Sequence, residues 1–181
     1  MATLSPIILL LTFSIFPFVI HGAKEKYTTH ILIQKTCNIS AKTDPNIDYA
    51  FCTSALKAKQ CETLRDIGTA CINLIMTNVT DTRRYISALV KGGKVEHRLR
   101  RCVDHCYELY TDAAPDLGGA LRDYRDKKYE DANIKLSAVM DAAAECEDCG
   151  VSPLSERNNA TFQLSAMALS VMHLIQEGKG Y

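Results

Sequence analysis

Eight cysteines are the residues of this 181-residue chain whose number and spacing most clearly call for a definite chemistry: Cys37, Cys52, Cys61, Cys71, Cys102, Cys106, Cys146 and Cys149. Cys102 and Cys106 stand one helical turn apart, and Cys146 with Cys149 nearly repeats the spacing. Two chemistries compete for that set. With His105 alongside, the four sulfurs resemble a four-thiolate zinc site. In an oxidising compartment, an even number of cysteines instead pairs completely. The first residues favour pairing. An apolar run from Pro6 to Ile20 is broken only by Thr12, Ser14 and Pro17, meets no charge before Lys24, and ends at Gly22 and Ala23. It is too short and too broken to span a bilayer comfortably, and reads as a cleaved signal peptide over residues 1–23. Thiols exported by that route oxidise, so no metal is expected.

Other chemistry is missing. There is no Gly-x-Ser-x-Gly elbow, no His-Glu-x-x-His and no phosphate-cradling glycine loop, so neither a catalytic residue nor a cofactor is called for. His30, His97, His105 and His173 are scattered over separate segments and read as surface or packing residues. Glu145 with Asp148 is an acidic pair of the kind that ordinary solvated helices carry.

The elements that must position the cysteines are helical, with strand content near zero. Residues 24–181 form about 158 residues, the usual size of one domain. Val95, Leu99, Cys102, Val103, Cys106, Tyr110 and Ala113 predict a helix over about 95–114 that Pro115 ends, with a further helical stretch to Tyr124. Ala132, Leu136, Val139, Ala143 and Cys146 predict another over about 129–146. Leu64, Ile67, Cys71, Leu74 and Ile75 mark one over about 62–78, and Asp81 could cap the next, to Val90, before Gly92-Gly93 breaks it. The last, over about 158–176, is apolar nearly all round, as an element buried on several sides must be. Two short segments, about 27–37 and 48–59, flank Asp44-Pro45-Asn46 and read as a helical hairpin appended to a bundle.

Helical geometry then selects among the 105 pairings that eight cysteines allow. Antiparallel helices could join Cys106 to Cys146 and Cys102 to Cys149 as parallel rungs, Cys37 with Cys52 would staple the hairpin, and Cys61 is left for Cys71. Lys plus Arg equals Asp plus Glu at 21 each, which argues against nucleic acid or anionic lipid as a partner. Sequons at Asn38, Asn78 and Asn159 are compatible with glycosylation.

The order and spacing of several segments resemble the plant pectin methylesterase and invertase inhibitor family. They are Cys37 to Asp44-Pro45-Asn46 to Phe51-Cys52, then Cys106-Tyr107-Glu108-Leu109-Tyr110, Leu121-Arg122-Asp123-Tyr124, Lys128-Tyr129-Glu130-Asp131-Ala132-Asn133, Cys146-Glu147-Asp148 and the stretch from Leu164 to Ile175. The chain is similar to a subgroup known from pollen allergens in the length of its hairpin loop. The resemblance implies an all-α, up-and-down four-helix bundle with an N-terminal helical hairpin, stapled by disulfides Cys37 to Cys52 and Cys106 to Cys146. It implies a secreted inhibitor, in the apoplast or cell wall, that covers the active-site cleft of pectin methylesterase or acid invertase in a non-covalent one-to-one complex.

In invertase-directed members a Pro-Lys-Phe loop reaches the sucrose pocket. By position it matches Asp126, Lys127, Lys128 and Tyr129, where lysine and an aromatic persist and proline does not. The lost proline removes the rigid turn and tips the expectation toward pectin methylesterase. A different class of function, a carrier with an apolar tunnel like the plant lipid-transfer proteins, would need an adjacent Cys-Cys pair and a Cys-x-Cys, and the chain has neither.

Overall fold

In the computed structural model the backbone is described for residues 16–93 and 95–179 and the side chains for residues 28–93 and 95–179. The first fifteen residues of the expected signal segment, 1–23, lie outside the described residues, and so do the side chains of the rest of it. Six α-helices occur among the described residues: α1 (Phe16–Thr43), α2 (Tyr49–Leu56), α3 (Leu64–Lys91), α4 (Arg100–Arg125), α5 (Tyr129–Asp148) and α6 (Ser152–Gln176). The helices α3 to α6 each pack on the next and α6 returns to α3, which makes an up-and-down four-helix bundle. None of the described helices is long and apolar enough to cross a membrane.

At two positions where the sequence predicts a break, the helix runs on, and α1 and α6 also begin earlier than predicted. α3 runs unbroken through Asp81, which pairs with Arg84 at 3.2 Å instead of capping a new helix. The reason is the apolar stripe: Ile75, Val79, Thr82 and Ile86 continue one buried face across the expected break. α4 likewise passes through Pro115. The ring forfeits one backbone bond, but Ala113, Leu117, Ala120 and Tyr124 are all buried on the same face, and that packing overrides the local preference. The start of α3 is fixed by a reciprocal cap: Thr63 accepts from the Asp66 N–H while the Asp66 carboxylate accepts from the Thr63 N–H at 2.8 Å.

The hairpin α1–α2 turns where the Asp44 carboxylate accepts from the Asn46 N–H, and Asp48 caps α2 by accepting from the Phe51 N–H. It is fastened to α6 by the Asp48 N–H, which donates to Gln163, and by Ser170, which donates to Ser40. Inside the bundle a buried polar cluster joins all four helices. The Tyr110 hydroxyl donates to the Asn158 side-chain oxygen at 2.9 Å, the Asn158 amide donates to Glu147, and the Asn78 amide donates to Thr161 and to the Arg157 carbonyl. Burial pushes the Tyr110 phenol up to about 12. Such groups are costly to bury unless all find partners, so they favour one helix register over its neighbours.

Three disulfides are present: Cys37–Cys52, Cys102–Cys149 and Cys106–Cys146. All four sulfurs of the zinc-like set are therefore tied up in two rungs between α4 and α5. The fourth expected bridge is absent, and Cys61 and Cys71 are buried thiols. The Glu62 N–H donates to the Asp66 carboxylate, which holds the segment after Cys61 at the very start of α3. Elimination pointed to that pair, and the structure leaves both as thiols in the core. Burial holds both thiols protonated, Cys61 raised to about 11 and Cys71 to about 12, the latter also by the field of Cys61.

Candidate functional site

The segment singled out by the sequence, Asp126 to Tyr129, is the connection between α4 and α5. How it is held follows from its backbone bonds. The Lys128 N–H donates to the Asp123 carbonyl at 2.8 Å and the Lys127 N–H donates to the Tyr124 carbonyl at 3.1 Å. Lys127 has φ +62°, alone among the non-glycine described residues in taking a positive φ. This is a Schellman closure with lysine where glycine is usual. Holding a lysine there costs about 1 kcal/mol relative to glycine, so the surrounding bonds must enforce it. The Lys128 carbonyl then accepts from the Ala132 N–H and opens α5, whose first turn carries Glu130 and Asp131 at the positive end of the helix dipole. The turn is fixed without proline.

Asp126, Lys127 and Lys128 are exposed, and Tyr129 is half-buried. Tyr129 does not point outward as a second probe. Its ring meets that of Tyr124 edge-on, with centroids 5.6 Å apart. Tyr124 is buried, and its hydroxyl donates to the Arg65 carbonyl at 3.2 Å. Burial, with Tyr129 next, holds its phenol far above the ordinary range. The ring lies so close over Gly68 of α3 that a Cβ there would overlap the phenol. Arg65 reaches back across the same seam and donates to the Arg125 carbonyl at 3.1 Å. The turn therefore stands on two tyrosines wedged against the start of α3.

Its charge is set by neighbours. Arg122, Arg125, Lys127 and Lys128 cluster within one turn of it together with Asp126, Glu130 and Asp131, and Asp123 is engaged with Lys135 at 2.6 Å. That hydrogen bond holds the Asp123 carboxyl below its ordinary value and Lys135 above its own. Close to the same end, the Gln176 amide donates to Glu130 and links the end of α6 to the start of α5. The result is a rigid corner of mixed charge that holds the Lys128 side chain exposed and outside any ion pair among the described residues, a point charge of the kind that meets a carboxylate.

Sequence reasoning found the turn but missed its supports, Gly68, Tyr124 and Arg65. A lone glycine inside a helical pattern was the available signal for a close approach. Among the sequons, Asn38 and Asn159 are exposed, whereas Asn78 spends its amide on α6. The described residues hold no group of three or more His, Cys, Asp or Glu side chains able to take a metal ion.

Comparison with known proteins bears on this corner. A family model described as plant invertase/pectin methylesterase inhibitor matches residues 31–171. A relative named "Putative invertase inhibitor" from Platanus acerifolia is 31% identical over 153 residues, covering 80% of this chain and 85% of the relative. A second, from Arabidopsis thaliana and named "Cell wall / vacuolar inhibitor of fructosidase 2", is 27% identical over 144 residues, 78% of this chain and 76% of its own. Among solved structures, a mutant form of a pectin methylesterase inhibitor from Arabidopsis superposes with TM-score 0.65 at 21% identity, over 70% of this chain and 89% of that one, and so shares the fold.

Proposed function

The chain belongs to the plant invertase/pectin methylesterase inhibitor family, and from that membership we propose that it restrains an acid invertase by seating the α4–α5 corner in the enzyme's sugar-cleaving cleft. Members of the family are inhibitors, and the protein is not itself an enzyme. The observation that carries the choice of target is the Schellman turn at Lys127. The expectation of pectin methylesterase rested on a missing proline, and the backbone supplies the same rigidity by two hydrogen bonds and a left-handed residue. The names of the relatives divide between the two targets: two are inhibitors of invertase or fructosidase, and others are pectinesterase inhibitors.

In this reading Lys128 faces the carboxylates with which such enzymes cleave a glycosidic bond. Tyr129 does not enter the cleft but braces the turn from behind. The complex is non-covalent and one-to-one, burying on the order of 1,600 Å² in total, and occlusion alone blocks the enzyme. The expected signal segment and the exposed sequons Asn38 and Asn159 support an encounter outside the cell, in the wall.

The test is inhibition of purified acid invertase and, separately, of pectin methylesterase, by the parent and by Lys128→Glu. Placing an anion where the lysine stood should weaken invertase inhibition by at least about 30-fold, the loss expected of a central contact. The helical signal should not change. Inhibition of pectin methylesterase alone, or invertase inhibition indifferent to Lys128→Glu, overturns the assignment.

A further inference from the structure

Formal neutrality of the whole chain hides a segregation of charge. Residues 83–101 carry seven of the 21 Lys and Arg against a single acidic residue, Glu96. In the fold this stretch is the α3–α4 corner, at the end of the bundle opposite the Lys128 turn. Lys91 closes α3, His97 and Arg98 lie in the 3-10 turn, and Arg100 and Arg101 open α4; all are exposed. Arg84 pairs with Asp81, Arg98 with Glu96 and Arg100 with Asp104. Lys91 and Arg101 have no carboxylate within ion-pair distance among the described residues.

We propose that this corner binds an anionic polysaccharide bearing a carboxylate on each sugar, the de-esterified polygalacturonate that a pectin methylesterase leaves in the wall. The first argument is the density of positive charge on a convex, solvated corner, which a flexible polyanion can follow and a single small anion cannot fill. The second is that the placement works against the fold. Arg100 and Arg101 stand at the positive end of the α4 dipole, where no acidic residue occupies the first turn and no side chain caps the helix. Charges kept where they destabilise their own helix are explained by something outside it.

The third argument excludes other polyanions. Within residues 83–101 the single Phe, Tyr or Trp ring is Tyr85, half-buried beneath the Arg157 guanidinium, so no run of rings is offered on which bases could stack, as single-stranded nucleic acid requires. The exposed large apolar residues among the described ones, Ile31, Tyr49, Tyr107 and Ile134, all lie outside this stretch, so nothing there could wedge into a membrane. The inference does not depend on which enzyme is inhibited. Through it the inhibitor would collect where pectin has already lost its methyl esters.

The experiment is retention of the oxidised protein on immobilised polygalacturonate and on highly methyl-esterified pectin, at low and at physiological salt. Retention should be strong on polygalacturonate, weak on the esterified polymer and reversed by salt. Lys91→Glu/Arg101→Glu should bind at least about ten-fold more weakly, with unchanged helicity and enzyme inhibition. The milder Lys91→Gln/Arg101→Gln should fall between. Lys42→Glu/Lys57→Glu, which makes the same change in charge elsewhere, should behave as the parent. Equal retention on both polymers, or equal loss in both Glu pairs, overturns the proposal. A salt-sensitive dimer that Lys91→Glu/Arg101→Glu abolishes, with no retention of the parent, assigns the corner to a second copy of the chain instead.

Discussion

Replacing Gly68 with alanine would test whether α3 seats the Lys128 turn. At an open helical position the change stabilises by about 1 kcal/mol, because alanine loses less backbone freedom. Here the new methyl overlaps the Tyr124 hydroxyl and comes within 2.6 Å of Cζ and 3.1 Å of Cε2. Tyr124 is buried and cannot swing into solvent, so its ring must shift. Overpacking costs roughly 1 to 3 kcal/mol, loss of the bond to the Arg65 carbonyl about 1, and loss of the edge contact with Tyr129 about 0.5 to 1. Against the gain in propensity the net is a destabilisation of about 2 kcal/mol, or a Tm lower by roughly 4 to 8 °C for a domain of this size. Thermal unfolding followed by circular dichroism measures it. Tyr124→Phe in the same chain removes the overlapping oxygen but leaves Cζ in place, so it should recover only part of the loss. A Tm unchanged or raised by Gly68→Ala would refute the wedge and with it the account of how the turn is held.

Cys106→Ser should lower stability by about 2 to 5 kcal/mol, since its bridge closes a 40-residue separation; denaturant titration of parent and variant checks it. Cys61 and Cys71 should resist alkylation in the native protein and both react after unfolding, with intact mass showing three bridges rather than four. The His105 imidazole is held above 6.5 chiefly by its bond to Glu145 at 2.7 Å. Its contribution to stability is therefore complete below that pH and lost as pH rises through the raised value, and proton NMR of Glu145→Gln should show the titration moving back down. Digestion of the secreted protein should recover glycan at Asn38 and Asn159 and none at Asn78, whose amide nitrogen already serves two acceptors across the α3–α6 seam.

The bundle was legible because its signal is periodic. The stripes ending in Cys106 and Cys146 place two cysteines on facing helices, and their one-turn spacing dictates parallel rungs without any knowledge of the loops. Where the sequence misled, a local rule lost to packing. Pro115 and Asp81 are ordinary breakers, but each sits within a buried stripe that continues on both sides. The Cys61–Cys71 pairing came from counting, and counting cannot tell a bridge from two buried thiols. At the functional corner the absent proline was legible, and the backbone bonds that close the turn without it were not. A left-handed lysine leaves no trace in composition or periodicity, and only the bonds that enclose it reveal it.

The three bridges also decide how the molecule would bear force. Tension applied at its two ends takes the shortest covalent route, crossing directly from Cys37 to Cys52 and from Cys102 to Cys149. Everything inside those bridges is shielded, including all of α5 and nearly all of α4. The load falls on the part of α1 before Cys37, on α3, which lies between Cys52 and Cys102, and on α6, which follows the last cysteine. Unravelling the span from Cys52 to Cys102 frees roughly 50 residues, or about 170 Å of extended chain. An oxidised molecule stretched in this way still keeps α4 and α5 riveted side by side, a template against which α3 and α6 can close again once the pull is released.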